Sequence, residues 1–165
     1  MTVTLKYPFV KLEAPPEYRG IPQIDPMLCI GCGACINACP PDAILRIDDY
    51  EKGTRKIVLD VGRCIRCARC EEVCPTGAIK LTNFFEAASS DRKDHVEVVE
   101  LRLVRCKNCG RYADFTVRQV QKALQILPKK VLEEDALEEK IWLCRDCRRK
   151  GTVDRMIRAS REVVL

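Results

Sequence analysis

CIGCGACINACP (Cys29–Pro40) and CIRCARCEEVCP (Cys64–Pro75) decide how this chain is read. Each is C-x-x-C-x-x-C-x-x-x-C-P, and the second follows the first at an offset of 35 residues. The offset extends past the cysteines. Asp25, Cys29, Cys32, Cys35, Cys39, Pro40, Ala43 and Ile44 recur as Asp60, Cys64, Cys67, Cys70, Cys74, Pro75, Ala78 and Ile79. Such a duplication implies two equivalent half-units related by a pseudo-twofold axis. Eight thiols at this spacing suit iron–sulfur clusters: three from one tight loop cap a face of a cubane, and the fourth comes from elsewhere.

The two runs resemble the ligand run of bacterial two-cluster ferredoxins, in which the fourth Cys of each run serves the other cluster. On that resemblance one [4Fe–4S] cluster is expected on Cys29, Cys32, Cys35 and Cys74, and a second on Cys64, Cys67, Cys70 and Cys39. Crossing the fourth ligands staples the halves together through metal. Pro40 and Pro75 turn the chain away from helix after each fourth ligand.

A chain of 165 residues supports one or two small domains. Its 12 cysteines fall in C-x-x-C units, which favours metal over a disulfide framework. Lys6, Pro8, Lys11 and Glu13 interrupt any apolar run at the N-terminus, so no secretory signal is read there. No stretch reaches the apolar length of a membrane span. These features predict a reducing, cytosolic setting. The formal net charge of +5 counts the thiols as neutral. Two clusters and one zinc, each leaving its thiolates at about −2, bring the loaded chain to about −1. A basic balance is then no argument for nucleic acid, and none is expected as a partner. The basic residues of 145–161 are interspersed with Asp146 and Asp154, which reads as a solvated or docking helix face.

The expected fold class is α+β: a bacterial-type two-cluster ferredoxin fold with an extended N-terminal arm and a C-terminal zinc-ribbon-like helical extension. Residues 1–20 form the Pro-rich arm, with Pro8, Pro15 and Pro16 and no sustained period. It could strap a partner through Tyr7, Phe9 and Tyr18, or pack on its own domain. Residues 21–88 form the two-cluster domain, with strands over 43–48 and 55–60 and a turn at 49–53 in which Gly53 takes positive φ. Residues 89–95 are a polar linker. Residues 96–165 form a four-cysteine, zinc-ribbon-like metal domain with helices. Within it, 96–105 alternates as a strand, and Thr116 and Gln119 suggest a capping box for a helix ended by Pro128. A second short helix is expected over 131–140 and a last one from Thr152, with Val153, Met156, Ile157 and Val164 on a core-facing stripe.

Cys106, Cys109, Cys144 and Cys147 are two C-x-x-C knuckles with 34 residues between them. Four thiolates in that arrangement suit a closed tetrahedral Zn²⁺ site with a structural role. A rubredoxin-like iron centre or a third cluster remains an alternative. The chain has no usable His, no G-x-S-x-G and no phosphate-binding glycine loop, and no catalytic residue is assigned. The loops of the paired runs differ in charge. The first has Ile30, Gly31, Gly33 and Ala34. The second has Arg66 and Arg69, preceded by Arg63, which predicts the higher reduction potential for the second cluster.

The whole chain resembles a family: the ferredoxin-like, two-[4Fe–4S] subunits of membrane-bound complexes related to respiratory complex I. These include group 4 [NiFe] hydrogenases, formate hydrogenlyases and archaeal sulfane-sulfur reductase complexes. The resemblance rests on the cluster runs together with the arm, in which Tyr7-Pro8, Pro15-Pro16, Tyr18-Arg19-Gly20 and Pro22 precede the first run. The trailing C-x-x-C pair departs from the plain complex I subunit. The resemblance implies an electron-transfer subunit that is not an enzyme by itself. It would relay electrons from a donor such as soluble ferredoxin to the small and large subunits of a [NiFe]-hydrogenase-like or sulfur-reductase module. It would sit on the cytoplasmic side of the membrane, touching the membrane arm indirectly. The alternative is a free, diffusible two-cluster ferredoxin.

Overall fold

The computed structural model of the protein describes residues 6, 7, 9, 10, 13–133 and 137–162. The elements run β1 (Pro22–Ile24), α1 (Ala34–Asn37), β2 (Ile44–Asp49), β3 (Thr54–Asp60), α2 (Arg69–Glu72), β4 (Ile79–Leu81), β5 (Val96–Arg105), β6 (Tyr112–Thr116), α3 (Val117–Ile126), α4 (Lys129–Glu133), α5 (Leu137–Lys140) and α6 (Arg145–Glu162). Helices and antiparallel sheet are mixed. β1 pairs with β4, and a four-stranded sheet has the order β2-β3-β5-β6.

The duplication is visible in the backbone. The N–H of Asp25 donates to the carbonyl of Ala78 at 2.7 Å, and that of Asp60 donates to the carbonyl of Ala43 at 2.8 Å. Each half thus reaches into the other at equivalent positions. The expected hairpin pairs Ile44 with Leu59 through to Asp49 with Thr54, and Gly53 turns it at φ 68°.

β5 keeps its expected bounds, and it pairs with β3 from Thr54↔Arg102 to Asp60↔Val96. The sheet therefore continues across residues 89–95, where a 3-10 turn at Arg92–His95 is capped by the Asp91 carboxylate. Alternation explains the pairing, because Ile57, Leu59, Val99 and Leu101 turn to one buried face. Near its end the pattern breaks. Leu103 and Val104 are both buried, and the register with β6 shifts between Leu103 and Arg105. A bulge of this kind re-aims successive side chains. It lets β5 serve two cores: one with Ile24, Ile44, Ile57 and Ile79, the other with Val104, Ala113, Val120 and the C-terminal cysteines.

Several expectations are corrected. β6 has no counterpart among them; its YADFT sequence is short and weakly alternating. Of the helix expected over 131–140, the described residues on either side of 134–136 are helical, as α4 and α5, and 134–136 lie outside the described residues. The last helix starts at Arg145, directly behind Cys144. Thr152 lies inside it, its hydroxyl donating to the Arg148 carbonyl at 3.1 Å. Val153, Met156 and Ile157 are exposed rather than in the core, and Val164 lies outside the described residues. In the arm, Tyr7 and Tyr18 both pack on Phe85, with ring centroids 6.3 and 6.1 Å away. Phe9 is 93% exposed and remains free for a partner, while Pro8 is outside the described residues.

The capping box at α3 is formed. The Thr116 hydroxyl accepts from the N–H of Gln119 at 3.1 Å, and the Gln119 side chain accepts from the N–H of Thr116 at 2.7 Å. The same hydroxyl donates to the carbonyl of Ile30 at 2.6 Å. Thr116→Ala is expected to cost about 1–2 kcal/mol, read from the shift in the chemical-denaturation midpoint.

Candidate metal centres

The loops before α1 and α2 adopt one backbone. Gly31 and Gly33 have φ 68° and 82°, and their counterparts Arg66 and Ala68 have 55° and 68°. Left-handed φ costs a non-glycine residue about 1–2 kcal/mol, so the second loop carries strain that the first avoids. The curl aims N–H groups at sulfur. Gly31 donates toward Cys29, and Arg66 donates to Cys64 Sγ at 3.3 Å. At the far end Ala43 donates to Cys39 Sγ at 3.3 Å and Ala78 to Cys74 Sγ at 3.2 Å.

The two halves exchange their last cysteines. Cys29, Cys32, Cys35 and Cys74 line one small cavity of about 20 Å³, walled by Ile24, Ile57 and Ile79. Cys39, Cys64, Cys67 and Cys70 line a second of about 20 Å³, walled by Ile44, Leu59 and Leu81. Neither wall contains a carboxylate. Burial pushes the Cys35 thiol up to about 12, and its neighbours Cys32, Cys29, Cys70 and Cys74 add to the effect. Cys70 reaches Cys35 electrostatically from the other set, so the two sites adjoin. Burial likewise raises Cys70 to about 11 and raises Cys29. At Cys74 burial is outweighed by the N–H groups of Ile79, Thr76 and Ala78, and its thiol falls below the usual value. Sulfurs this buried lose their protons when a cation takes the protons' place. Four convergent thiols, N–H donors on the sulfurs and an apolar wall are the donor set of an iron–sulfur cluster.

The C-terminal four differ in spacing. The Sγ atoms of Cys106, Cys109, Cys144 and Cys147 all lie within 4.8 Å of one another, and Cys109 and Cys144 are 3.6 Å apart. A tetrahedral ion with metal–sulfur bonds of about 2.3 Å sets its ligands about 3.8 Å apart, so this set fits a single ion. A cubane places irons and sulfides between its thiolates and holds them farther apart. The first knuckle is closed by Gly110 N–H to the Cys106 carbonyl at 3.0 Å and Cys106 N–H to the Arg111 carbonyl at 2.8 Å. At Cys106 burial raises the thiol, but the N–H groups of Cys109, Cys144 and Asn108 win and bring it to about 6. α6 begins at Arg145, directly behind Cys144, and carries Cys147 in its first turn.

Sequence reasoning missed the residues that join the C-terminal part to the first loop. Arg55 is 1% exposed, and it holds Asp48 through Nε at 2.7 Å and Nη2 at 2.9 Å. It also donates to the carbonyls of Gly31 at 3.0 Å and Asp114 at 2.7 Å. Arg118, on the first turn of α3, donates to the carbonyls of Pro26, Met27 (3.4 Å) and Cys29 (3.1 Å). With Thr116 on Ile30, five carbonyls of residues 26–31 are held by side chains from outside the loop. A Cβ on Gly31 would meet Leu101 Cδ1 at 2.6 Å and Thr116 Cγ2 at 3.1 Å. Alternation in β3 could have signalled Arg55, because it shares a face with Ile57 and Leu59.

Residues 28–78 match the 4Fe-4S dicluster domain. Over 110 residues the chain is 43% identical to formate hydrogenlyase subunit 6 of Escherichia coli (strain K12), covering 67% of this chain and 61% of that protein. Over 155 residues it is 32% identical to NADH-quinone oxidoreductase subunit I of Helicobacter pylori (strain Shi470), covering 84% of this chain and 70% of that one. The first relative is therefore spanned for less than two thirds of its length. Among solved structures, a chain of the membrane-bound sulfane sulfur reductase, an archaeal respiratory membrane complex, matches with 34% identity and a TM-score of 0.45. The match covers 58% of this chain and 51% of that one. Among the described residues no helix is long and apolar enough to cross a membrane.

Proposed function

We propose, from the premise that this chain belongs to the family of ferredoxin-like iron–sulfur subunits of complex I-related membrane complexes, that it relays single electrons between an external donor and a partner subunit's redox centre. When bound, each [4Fe–4S] cluster supplies a one-electron couple. Cys29, Cys32, Cys35 and Cys74 hold one, and Cys39, Cys64, Cys67 and Cys70 hold the other. The isoleucines and leucines around them shield the inner side of each site from water, and the backbone N–H groups on their sulfurs share the negative charge. The observation that carries this reading is the exchange of Cys39 and Cys74 between two adjoining thiol-lined cavities. Two redox sites so close, in one two-cluster ferredoxin fold, make a path.

Cys106, Cys109, Cys144 and Cys147 hold Zn²⁺ in a zinc-ribbon-like extension that orients α6. The chain docks peripherally on the cytoplasmic side of a hydrogenase-like or sulfur-reductase module, receives electrons from a carrier such as ferredoxin, and binds no substrate itself. Phe9 in the arm and the exposed Val153, Met156 and Ile157 of α6 are among the apolar side chains available to partner subunits.

The test is recovery of the native protein from solubilised membranes, with metal analysis of the same sample. Co-elution with catalytic and membrane subunits is expected, with about eight iron and one zinc per chain. Elution alone near the chain's own 18.8 kDa, with reducible clusters, would make it a diffusible carrier instead. A ninth iron in place of zinc would turn the C-terminal site into an iron centre.

A further inference from the structure

The two cluster loops carry the same net charge. Cys29 to Cys39 contains no charged residue, and Cys64 to Cys74 contains Arg66, Arg69, Glu71 and Glu72, which cancel. The repeat makes this pointed, since Ile36 and Asn37 occupy the places of Glu71 and Glu72. Two of the arginines that favoured the second site are paired or screened: Arg69 pairs with Glu72 at 2.6 Å, and Arg63 is exposed to solvent, where water and salt blunt its field. The third, Arg66, lines the second cavity and donates to the uncharged Tyr18 hydroxyl at 3.2 Å, so its charge is offset only by Glu71 of the same loop.

The tie is broken from outside the repeat. Arg55 pairs with Asp48 at 2.7 Å, and the second arginine on that carboxylate, Arg46, is exposed and screened by solvent, so the group contributes little field. Arg118 is half-buried, and among the described residues no carboxylate forms an ion pair with it. Its guanidinium rests on the backbone carbonyls of Pro26, Met27 and Cys29, an anchoring that Arg66, the cation lining the second cavity, does not share, since its side chain donates to the Tyr18 hydroxyl instead. Cys32 is also exposed, whereas its counterpart Cys67 is only partly so. A cluster gains one negative charge on reduction, so a nearby cation and greater exposure both raise its potential.

We propose that Arg118 is a positioning and charge-setting residue for the first loop. It anchors the segment leading into Cys29 and makes the cluster on Cys29, Cys32, Cys35 and Cys74 the higher-potential member of the pair, where an electron rests. This reverses the order that the loop sequences predict, and it rests on the two-cluster relay reading above. It also gives the C-terminal part a role in electron transfer through α3.

The experiment is an EPR-monitored redox titration of the full, cluster-loaded chain. Cys32→Ser and Cys67→Ser mark the signals of the first and second sites. In the wild type the first electron is expected in the signal that Cys32→Ser alters. Arg118→Gln keeps a hydrogen-bond donor but removes the charge. It should lower the ratio of reduced to oxidised first cluster about tenfold at fixed potential, about 59 mV for one electron, and move the second cluster much less. Arg118→Lys, which keeps the charge, should restore most of the shift. An unmoved first-site midpoint in Arg118→Gln, or a first electron in the Cys67→Ser-sensitive signal, overturns the inference. If Arg118→Gln fails to assemble, the wild-type order decides alone. Fewer than two [4Fe–4S] signals in the wild type would instead defeat the relay reading itself.

Discussion

Cys74→Ala is expected to abolish the cluster of the first loop, although Cys74 belongs to the second cysteine run. Iron should fall from about eight to about four per chain, and the spectrum should match that of Cys32→Ala rather than Cys67→Ala. The reason is positional. After α2 the chain leaves its own loop, and the Cys74 sulfur, held by the N–H of Ala78, lies in the wall with Cys29, Cys32 and Cys35. Cys39 is the mirror case in the wall with Cys64, Cys67 and Cys70, and Cys39→Ala should match Cys67→Ala. Were each run to fill its own site, Cys74→Ala would match Cys67→Ala, and the crossed assignment would be refuted.

Arg55→Met should destabilise the folded chain by about 3–5 kcal/mol, the range for leaving one member of a buried ion pair behind. Arg55 is the meeting point of three pieces: Asp48 of β2, the Gly31 carbonyl of the first loop and the Asp114 carbonyl of β6. Its loss strands two carbonyls and leaves Asp48 with Arg46, an exposed partner at 3.4 Å. Desolvation is what makes the pair expensive to break. Arg55→Met combined with Asp48→Leu should therefore recover most of the loss, since a packed apolar pair needs no charge compensation. The check is a double-mutant cycle on the denaturation midpoints of chains with equal metal content. A single-variant loss below about 1 kcal/mol would mean that water already compensates Asp48.

The sequence spoke most clearly where chemistry or period repeats. Eight cysteines at fixed spacing foretold two thiol-lined cavities, alternation located β5 to the residue, and Thr116 with Gln119 located the start of α3. It was silent where partners lie far apart in the chain. Arg118 and Cys29 are 89 positions apart, and no local pattern announces that a helix's first turn will seat on a loop. The stripe of α6 failed for a different reason. Periodicity reports that one face is apolar, not what that face meets, and here Val153, Met156 and Ile157 are left exposed. β6 escaped notice because a five-residue strand with Ala113 and Asp114 at its centre carries almost no propensity signal. Once β5 is in place, pairing with it supplies what propensity lacks.

Gly31 and Arg66 occupy one position of the duplicated unit, yet they are not equally replaceable. A side chain at 31 collides with Leu101 and Thr116, whereas a whole arginine stands at 66 at the cost of a left-handed φ. The copy covered by β5, β6 and α3 is thereby frozen, because its backbone is also the floor on which another part of the chain is built. The other copy is tied more lightly, through the Arg66 bond to the Tyr18 hydroxyl and the Glu71 carboxylate that accepts from the Leu81 N–H. Substitutions at the exposed positions between Cys64 and Cys74 disturb less of the chain than substitutions in the first loop, so the second loop is the half of this symmetric unit with more freedom to diverge toward a particular partner.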